Sequence, residues 1–166
     1  MTINVFVNTW GNYNENGANG GEWLSLPVDD DDLAETLGRI AGAMGDTDPE
    51  WFINDYENDL DIEFSEYDSI FKVNELAQEL DDLDDDDSEK FKAILETQTR
   101  NPREALGYMN DFDFIEGVTI EDLAEEYIED CCDIPENLKC YIDIERLARD
   151  MSFENYTEAE NGVLIG

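Results

Sequence analysis

Alternating apolar and polar residues at the start of the chain predict a β-strand over residues 2–8, which are rich in β-branched side chains. The segment 11–21 is dense in Asn and Gly and predicts a long loop. Two further strands are predicted, over residues 22–26, where Pro27 ends the strand, and over residues 50–55. Between them, apolar residues recur at helical spacing at Leu33, Leu37, Ile40, Ala41 and Met44. The first part of the chain therefore predicts a β-β-α-β module.

The middle of the chain has the spacing of helices. One apolar stripe consists of Ile70, Val73, Leu76, Ala77 and Leu80. Ser88 predicts the N-cap of a second helix, because its hydroxyl can accept a hydrogen bond from a free backbone N–H group. Asn101-Pro102 predicts the start of a third helix, since proline fits the first helical position. The apolar residues of these two helices are Phe91, Ile94, Leu95, Ala105, Leu106 and Met109.

The last third mixes strands and helices. Residues 112–116 predict a short strand, and residues 153–157 and 163–165 predict a closing hairpin. The segment 119–122 is similar to a capping box, and Asp143 predicts the N-cap of a further helix. We therefore expect an α+β fold.

The charge of the chain adds to this picture. Of 166 residues, 45 are Asp or Glu, nine are Lys or Arg and none is His, which gives a formal charge of −36. An apolar share of 41% still allows folding. Such a protein would repel nucleic acid and anionic lipid, and histidine chemistry is excluded. The patterns along the chain predict three small modules, a β-rich 1–61, a helical 62–103 and a mixed 104–166. Self-repulsion and this layout both favour an elongated body.

No group of residues indicates catalysis or a metal site. The cysteines Cys131, Cys132 and Cys140 predict reduced thiols rather than a disulfide framework. Residues 12–17 copy the front of a calcium loop, but Trp23 occupies the position of its last carboxylate. With 45 acids, no single carboxylate pair is informative. We expect no enzyme, no metal and no cofactor.

The chain shows no targeting signal. It has no apolar run of about 18 residues that could span a membrane. Its first residues lack the basic and apolar regions of a signal peptide. We therefore expect a cytoplasmic protein.

The charge density is comparable to that of DNA. Duplex DNA carries one charge per about 1.7 Å of axis, so 36 charges correspond to about 61 Å, or about 18 base pairs. Solubility of a small domain needs a net charge of only about 2–8. We hypothesise a decoy that occupies the DNA groove of an enzyme, with carboxylates standing where phosphates stand. The candidate phosphate-mimicking residues are Asp29, Asp30, Asp31, Asp32, Asp81, Asp82, Asp84, Asp85, Asp86, Asp87, Asp111, Asp113, Glu116, Glu121 and Asp122.

Two other interpretations of the charge stay open. Halophilic adaptation would enrich acids whatever the function. An acidic adaptor or chaperone would use the same charge to bind a basic protein, such as a basic DNA-binding protein. Competition with duplex DNA for a DNA-binding enzyme separates the decoy from the adaptor.

Specific segments carry further information. They are NTWGNYNENG (8–17), GEWLSLP (21–27), EWFINDYE (50–57), EYDSIFKVNELA (66–77), IPENLKCYIDIERLARD (134–150) and ENYTEAENGV (154–163). In these segments and in their order, the chain resembles the ArdA antirestriction family of mobile elements such as conjugative transposons. The resemblance spans nearly the whole chain.

The resemblance implies a three-domain, elongated mimic of bent B-form DNA that forms a homodimer through its C-terminal domain. It implies inhibition of type I restriction–modification enzymes by occupation of the groove of their specificity and methyltransferase subunits. The acidic antirestriction motif of the family corresponds best to residues 123–135, with Glu125, Glu126, Glu129, Asp130 and Asp133. Phe112, Phe114 and Tyr141 are the residues that we expect at the dimer interface.

Overall fold

A computed structural model describes residues 2–131 and 133–166, with Cys131 described by its backbone alone. These residues form eight helices and six strands in two antiparallel sheets, which confirms the α+β class. The strands are β1 (Ile3–Thr9), β2 (Glu22–Leu26), β3 (Trp51–Asn58), β4 (Asp113–Glu116), β5 (Tyr156–Ala159) and β6 (Gly162–Ile165). The helices are α1 (Trp10–Asn16), α2 (Asp30–Met44), α3 (Ile70–Asp81), α4 (Asp85–Thr97), α5 (Pro102–Tyr108), α6 (Ile120–Cys131), α7 (Glu136–Lys139) and α8 (Ile144–Ser152).

The chain divides into two compact units, Met1–Asp84 and Asp85–Gly166. Helix α3 contacts β2 and β3 in the first unit, whereas α4 contacts all three strands of the second. The division therefore falls within the segment 62–103. The organisation into three modules stays a prediction.

The strands of the first unit form one antiparallel sheet in the order β2-β1-β3. In the central strand β1, Ile3, Val5 and Val7 are buried, as the alternation predicts. Helix α2 follows an N-cap at Asp29, which accepts a hydrogen bond from the Asp31 N–H at 3.3 Å, and it ends at Gly45, which adopts a left-handed φ of 74°.

Buried Asn74 joins α3 to the chain between β2 and α2. Its side-chain oxygen accepts a hydrogen bond from the Val28 N–H at 2.9 Å, and its amide donates to the Val28 carbonyl at 2.9 Å. Gln78, one turn later, donates to the same carbonyl at 3.0 Å. The stripe predicted for α3 is buried at every position. Both amides thus hold α3 within the first unit.

The loop predicted over residues 11–21 is wrong in its first half, because residues 10–16 form α1. The Thr9 hydroxyl caps this helix by accepting a hydrogen bond from the Asn12 N–H at 3.1 Å. The side-chain amide of Asn12 donates to the Asn8 side-chain oxygen at 2.8 Å, and both residues are buried. The two side chains therefore hydrogen-bond to each other inside the fold, and the chain here forms a helix instead of a turn.

Ser88 is not an N-cap, because α4 begins at Asp85 and includes Ser88 in its interior. The acidic first turn, residues 85–87, already complements the positive end of the helix dipole. The predicted apolar residues Phe91, Ile94 and Leu95 are buried.

Three predicted caps are confirmed in the second unit. The Asn101 side chain accepts hydrogen bonds from two N–H groups of α5, and Asp143 accepts one from the first turn of α8. The Thr119 N–H donates to the Asp122 carboxylate at 2.8 Å, while the Asp122 N–H donates to the Thr119 hydroxyl at 3.1 Å. This exchange is the reciprocal pattern of a capping box.

The second unit is built on an antiparallel sheet in the order β4-β6-β5. It confirms the short strand and the closing hairpin, although β5 begins at Tyr156 rather than at Phe153. Helices α6 and α8 pack against each other. The core shared by these helices and the sheet contains Ile120, Leu123, Ala124, Ala148 and Val163.

Across the part of the chain that the structure describes, no helix has both the length and the apolar character needed to cross a membrane.

Candidate functional site

The candidate acidic residues all lie on the surface. Each of the phosphate-mimicking candidates and each residue of the motif-like segment is exposed. Among the described residues no Asp or Glu is buried, and only Glu22, Asp46 and Glu89 are half-buried. The acidic side chains therefore form a surface distributed over both units.

Some of the acidic residues of this surface lie where helices begin. The runs 29–32, 85–87 and 121–122 lie at the N-cap or in the first turn of α2, α4 and α6. Negative charge there complements the helix dipole and the free backbone N–H groups. At these positions local structure alone favours carboxylates.

Other acidic residues oppose local preference. Asp81 ends α3 and Asp82 is its C-cap, and this helix has no basic residue in its last turn. Residues 129–130 approach the end of α6, which also lacks a basic residue in its last turn. Carboxylates at a helix C-terminus are unfavourable. Glu125 with Glu129 also places like charges one turn apart on α6, which is destabilising.

Apart from Glu126, which lies within α6, the remaining candidates lie outside helices. Asp84 lies between α3 and α4, Asp111 in the turn after α5, and Asp133 after α6. Asp113 and Glu116 lie at the two ends of β4, opposite Ile165 and Gly162 of β6.

The structure brings some of these candidates together in the second unit. A groove of about 430 Å³ is lined by Asp86, Asp87, Asp113 and Glu116, with Lys90 at its wall. Residues far apart in sequence thus form one acidic groove between α4 and β4.

Several basic residues are paired with carboxylates of the same unit. The Arg39 guanidinium donates to both carboxylate oxygens of Glu22, at 2.8 and 3.1 Å. Lys139 forms an ion pair with Glu136 at 2.8 Å. These pairs use some of the few positive charges locally, so the acidic excess remains on the surface.

The carboxyl pKa values that depart from their ordinary range are lowered. Hydrogen bonds from Arg39 lower the pKa of Glu22, and those from Lys92 and Asn161 lower the pKa of Glu89. The Thr119 backbone N–H and hydroxyl lower the pKa of Asp122. These groups are therefore ionised at neutral pH, whereas a carboxylic general acid needs a raised pKa.

The sequence predicts reduced thiols and no metal site. Across 2–131 and 133–166, no three His, Cys, Asp or Glu side chains are grouped so that they could hold a metal ion. Cys140 is an exposed free thiol. The expectation for Cys132 and for the side chain of Cys131 lies outside the described residues.

The residues expected at a dimer interface lie in the second unit. Phe112 precedes β4 and Phe114 lies within it, and both are half-buried. Tyr141 follows α7 and is 82% exposed.

An aromatic pocket in the first unit is not predicted by the sequence patterns. Its rings come from Trp10 and Tyr13 of α1, Phe52 and Tyr56 of β3, and Phe64 of the following segment. The spacing of Trp10 and Tyr13 fits one face of a helix, but the surrounding Asn and Gly residues indicate a loop instead.

Fold and surface together define a class, an acidic α+β protein whose exposed carboxylates cover both of its units. The family model for antirestriction protein (ArdA) matches residues 5–164, which is nearly the whole chain. The chain therefore belongs to the ArdA family, and family membership implies an antirestriction function. No curated protein matches the chain.

Proposed function

We propose that this protein is a DNA mimic that inhibits type I restriction–modification enzymes. In this mechanism it occupies the DNA-binding groove of the specificity and methyltransferase subunits. Family membership supports antirestriction and a restriction enzyme as the partner. The charged surface supports the mimicry.

The observation that carries the proposal is the retention of carboxylates where local structure disfavours them. Asp81 and Asp82 lie at the negative end of α3. Glu125 and Glu129 face the same side of α6 as like charges. Selection for solubility or for helix stability does not account for these positions. A requirement for negative charge along the whole surface does account for them.

The amount of charge fits a DNA-binding groove. The formal charge of −36 corresponds to about 18 base pairs of duplex. Two copies would carry about twice that charge, equivalent to about 36 base pairs. A long bipartite DNA site on the enzyme would suit a decoy of that charge.

The proposal includes a homodimer formed through the second unit. Two aromatic side chains of this unit, Tyr141 and Phe153, are 82% and 79% exposed. A shallow apolar groove of about 240 Å³ lies in the same unit and includes Leu123, Tyr127 and Met151. Apolar residues that meet in one open groove are typical of an interaction site, whereas single exposed apolar residues are normal.

The decoy makes and breaks no bond. It needs no cofactor, and it binds neither nucleic acid nor membrane, because its own charge repels both. It acts in the cytoplasm, where a mobile element that enters a new host meets the restriction enzyme.

The test is displacement of DNA. A type I methyltransferase core is loaded with a fluorescent duplex that contains its recognition site, and the protein is titrated in near physiological salt. We expect release of the duplex at near-stoichiometric protein, followed as a fall in fluorescence anisotropy. No release at large excess would contradict the proposal.

A control separates the decoy from an acidic adaptor. The same titration is repeated with a small histone-like protein bound to the duplex. A decoy shaped for a DNA groove releases the duplex from the methyltransferase core at much lower concentration. Equal release from both proteins would favour the adaptor, because a carrier of basic proteins binds by charge alone.

A further inference from the structure

The aromatic pocket of the first unit is a second kind of surface on this molecule. Its volume is about 430 Å³, and it runs along β3 from α1 to the segment after β3. The rings are Trp10, Tyr13, Phe52, Tyr56 and Phe64. Such a concentration of aromatic side chains around one open pocket differs from the acidic surface around it.

Ring contacts fix the geometry of the pocket. Trp10 stacks on Phe52 with ring centroids 4.0 Å apart, and Tyr13 meets Phe52 edge-on at 5.5 Å. On the other side, Tyr56 and Phe64 meet at right angles with centroids 5.4 Å apart. Phe52 is buried, whereas Tyr13 is 40% exposed. The aromatic walls of the pocket are therefore held in place by ring contacts, and the wall formed by Tyr13 is accessible to solvent.

A β-bulge contributes to the shape of the pocket. Phe6 of β1 lies opposite Asp55, but Val7 lies opposite Ile53, so β3 carries one extra residue, Asn54. Bulges redirect side chains of the strand that carries them. Ile53, Asn54, Asp55 and Tyr56 consequently all line the pocket.

The charge of the pocket is negative. Asp55 and Glu66 line it and are exposed. Of the described residues that line it, none is Lys or Arg. The neighbouring Glu66 carboxylate raises the pKa of the Tyr67 hydroxyl. Aromatic faces and carboxylates together attract a cation.

We propose that this pocket receives an arginine side chain from the DNA-binding surface of the inhibited enzyme. The proposal rests on the proposed function, because a groove that binds DNA presents Arg and Lys to phosphates. A guanidinium stacks on aromatic rings and pairs with carboxylates through fixed N–H groups, whereas an ammonium is a compact, strongly hydrated charge. The pocket thus adds one specific contact to the general attraction between the acidic surface and the basic groove of the enzyme.

Binding is tested with the full chain and a small probe. The protein is labelled with 5-fluorotryptophan, the fluorine signals of Trp10, Trp23 and Trp51 are assigned, and N-acetylarginine amide is added. We expect the Trp10 signal to move and to saturate at about millimolar probe. The citrulline analogue, which has a similar shape and no charge, should move it far less.

Matched variants separate the pocket from general attraction. D55N/E66Q removes two charges at the pocket, and D31N/D32N removes two charges on α2. We expect D55N/E66Q to weaken binding of the probe about fivefold and D31N/D32N to leave it unchanged. Tyr13→Ala should weaken binding about threefold, while Tyr13→Phe retains the ring and the affinity. A Trp10 signal that does not saturate, or equal weakening in both charge variants, would overturn the proposal.

The same variants are then titrated against the methyltransferase core loaded with duplex. We expect D55N/E66Q to need about fivefold more protein for release than D31N/D32N. Equal release by both would overturn the pocket proposal alone. Failure of the wild-type protein to release DNA would instead contradict the proposed function, and the two failures are therefore distinguishable.

Discussion

Asp122 shows how a single residue combines charge with local stability. Its carboxylate accepts hydrogen bonds from the backbone N–H and the hydroxyl of Thr119, at 2.8 and 2.7 Å. Both bonds favour the ionised form, which lowers the pKa of Asp122 below its ordinary value of 3.8. This residue therefore caps α6 and remains a negative charge on the surface.

A pH-dependent effect of Asp122→Asn follows. Because the pKa is lowered in the folded state, the stabilisation is fully present above pH 3.8 and is lost as the pH falls through the lowered value. We expect the variant to have a lower urea midpoint than wild type at neutral pH and nearly the same midpoint at about pH 2.

The neighbouring Glu121→Gln is the control for Asp122→Asn. It removes one exposed charge from the same turn without removing the cap. Its midpoint should stay close to that of the wild type at both pH values. A deficit of Asp122→Asn that is equal at both pH values would contradict the role given to ionisation.

Two glycines show that the same substitution should act in opposite directions in different elements. At Gly162, in β6, an added Cβ would collide with the backbone carbonyl of Ile115. At Gly38, in the exposed face of α2, an added Cβ meets no atom within 4 Å. A steric collision therefore decides the effect of an added methyl group at Gly162, whereas helix propensity decides it at Gly38.

We expect Gly162→Ala to destabilise the second unit by about 1–3 kcal/mol, because a backbone carbonyl has little room to move. Gly38→Ala should stabilise α2 by about 0.5–1 kcal/mol, since alanine has the higher helix propensity. Urea unfolding at fixed salt measures both. A Gly162→Ala variant as stable as the wild type would mean that the described packing of β4 against β6 is wrong.

At the scale of elements, the sequence predicts those parts whose signals are local. The alternation of Ile3, Val5 and Val7 and the stripe that begins at Leu33 are sufficient for β1 and α2. Helix α1 is different, because the turn preference of Asn12 is outweighed by its buried hydrogen bond to Asn8. That partner depends on the folded chain, and residue type alone does not reveal it.

Some features of the candidate site can likewise be predicted from the sequence, and others cannot. Exposure of the acidic runs follows from their composition, since unpaired carboxylates are almost never buried. The groove between α4 and β4 depends on sheet pairing, and the aromatic pocket depends on a bulge at Asn54. Long-range pairing of this kind leaves no periodic signal in the sequence.

At the scale of the whole molecule, the charge should act as a sum. An exposed ion pair contributes well under about 1 kcal/mol. We therefore expect any one Asp→Asn change to alter the concentration needed for DNA release less than about threefold. Replacing all acids of the run 81–87 with amides should raise it by about tenfold or more. One single change that abolishes inhibition would indicate a local site instead.

Salt should move folding and inhibition in opposite directions. Added salt screens the repulsion among carboxylates, so the urea midpoint should rise. The same screening weakens the attraction to a basic groove, so more protein should be needed for DNA release. If added salt lowered both the urea midpoint and the inhibition, unfolding rather than screening would limit inhibition.

The central claim is that the protein and DNA compete for one groove. The most direct measurement is the inhibition constant of a type I enzyme, determined at a series of concentrations of its DNA substrate. The account predicts that the apparent constant rises in proportion to DNA once the enzyme is saturated with it. An apparent constant that does not change with DNA concentration would place the inhibitor elsewhere on the enzyme and would contradict mimicry.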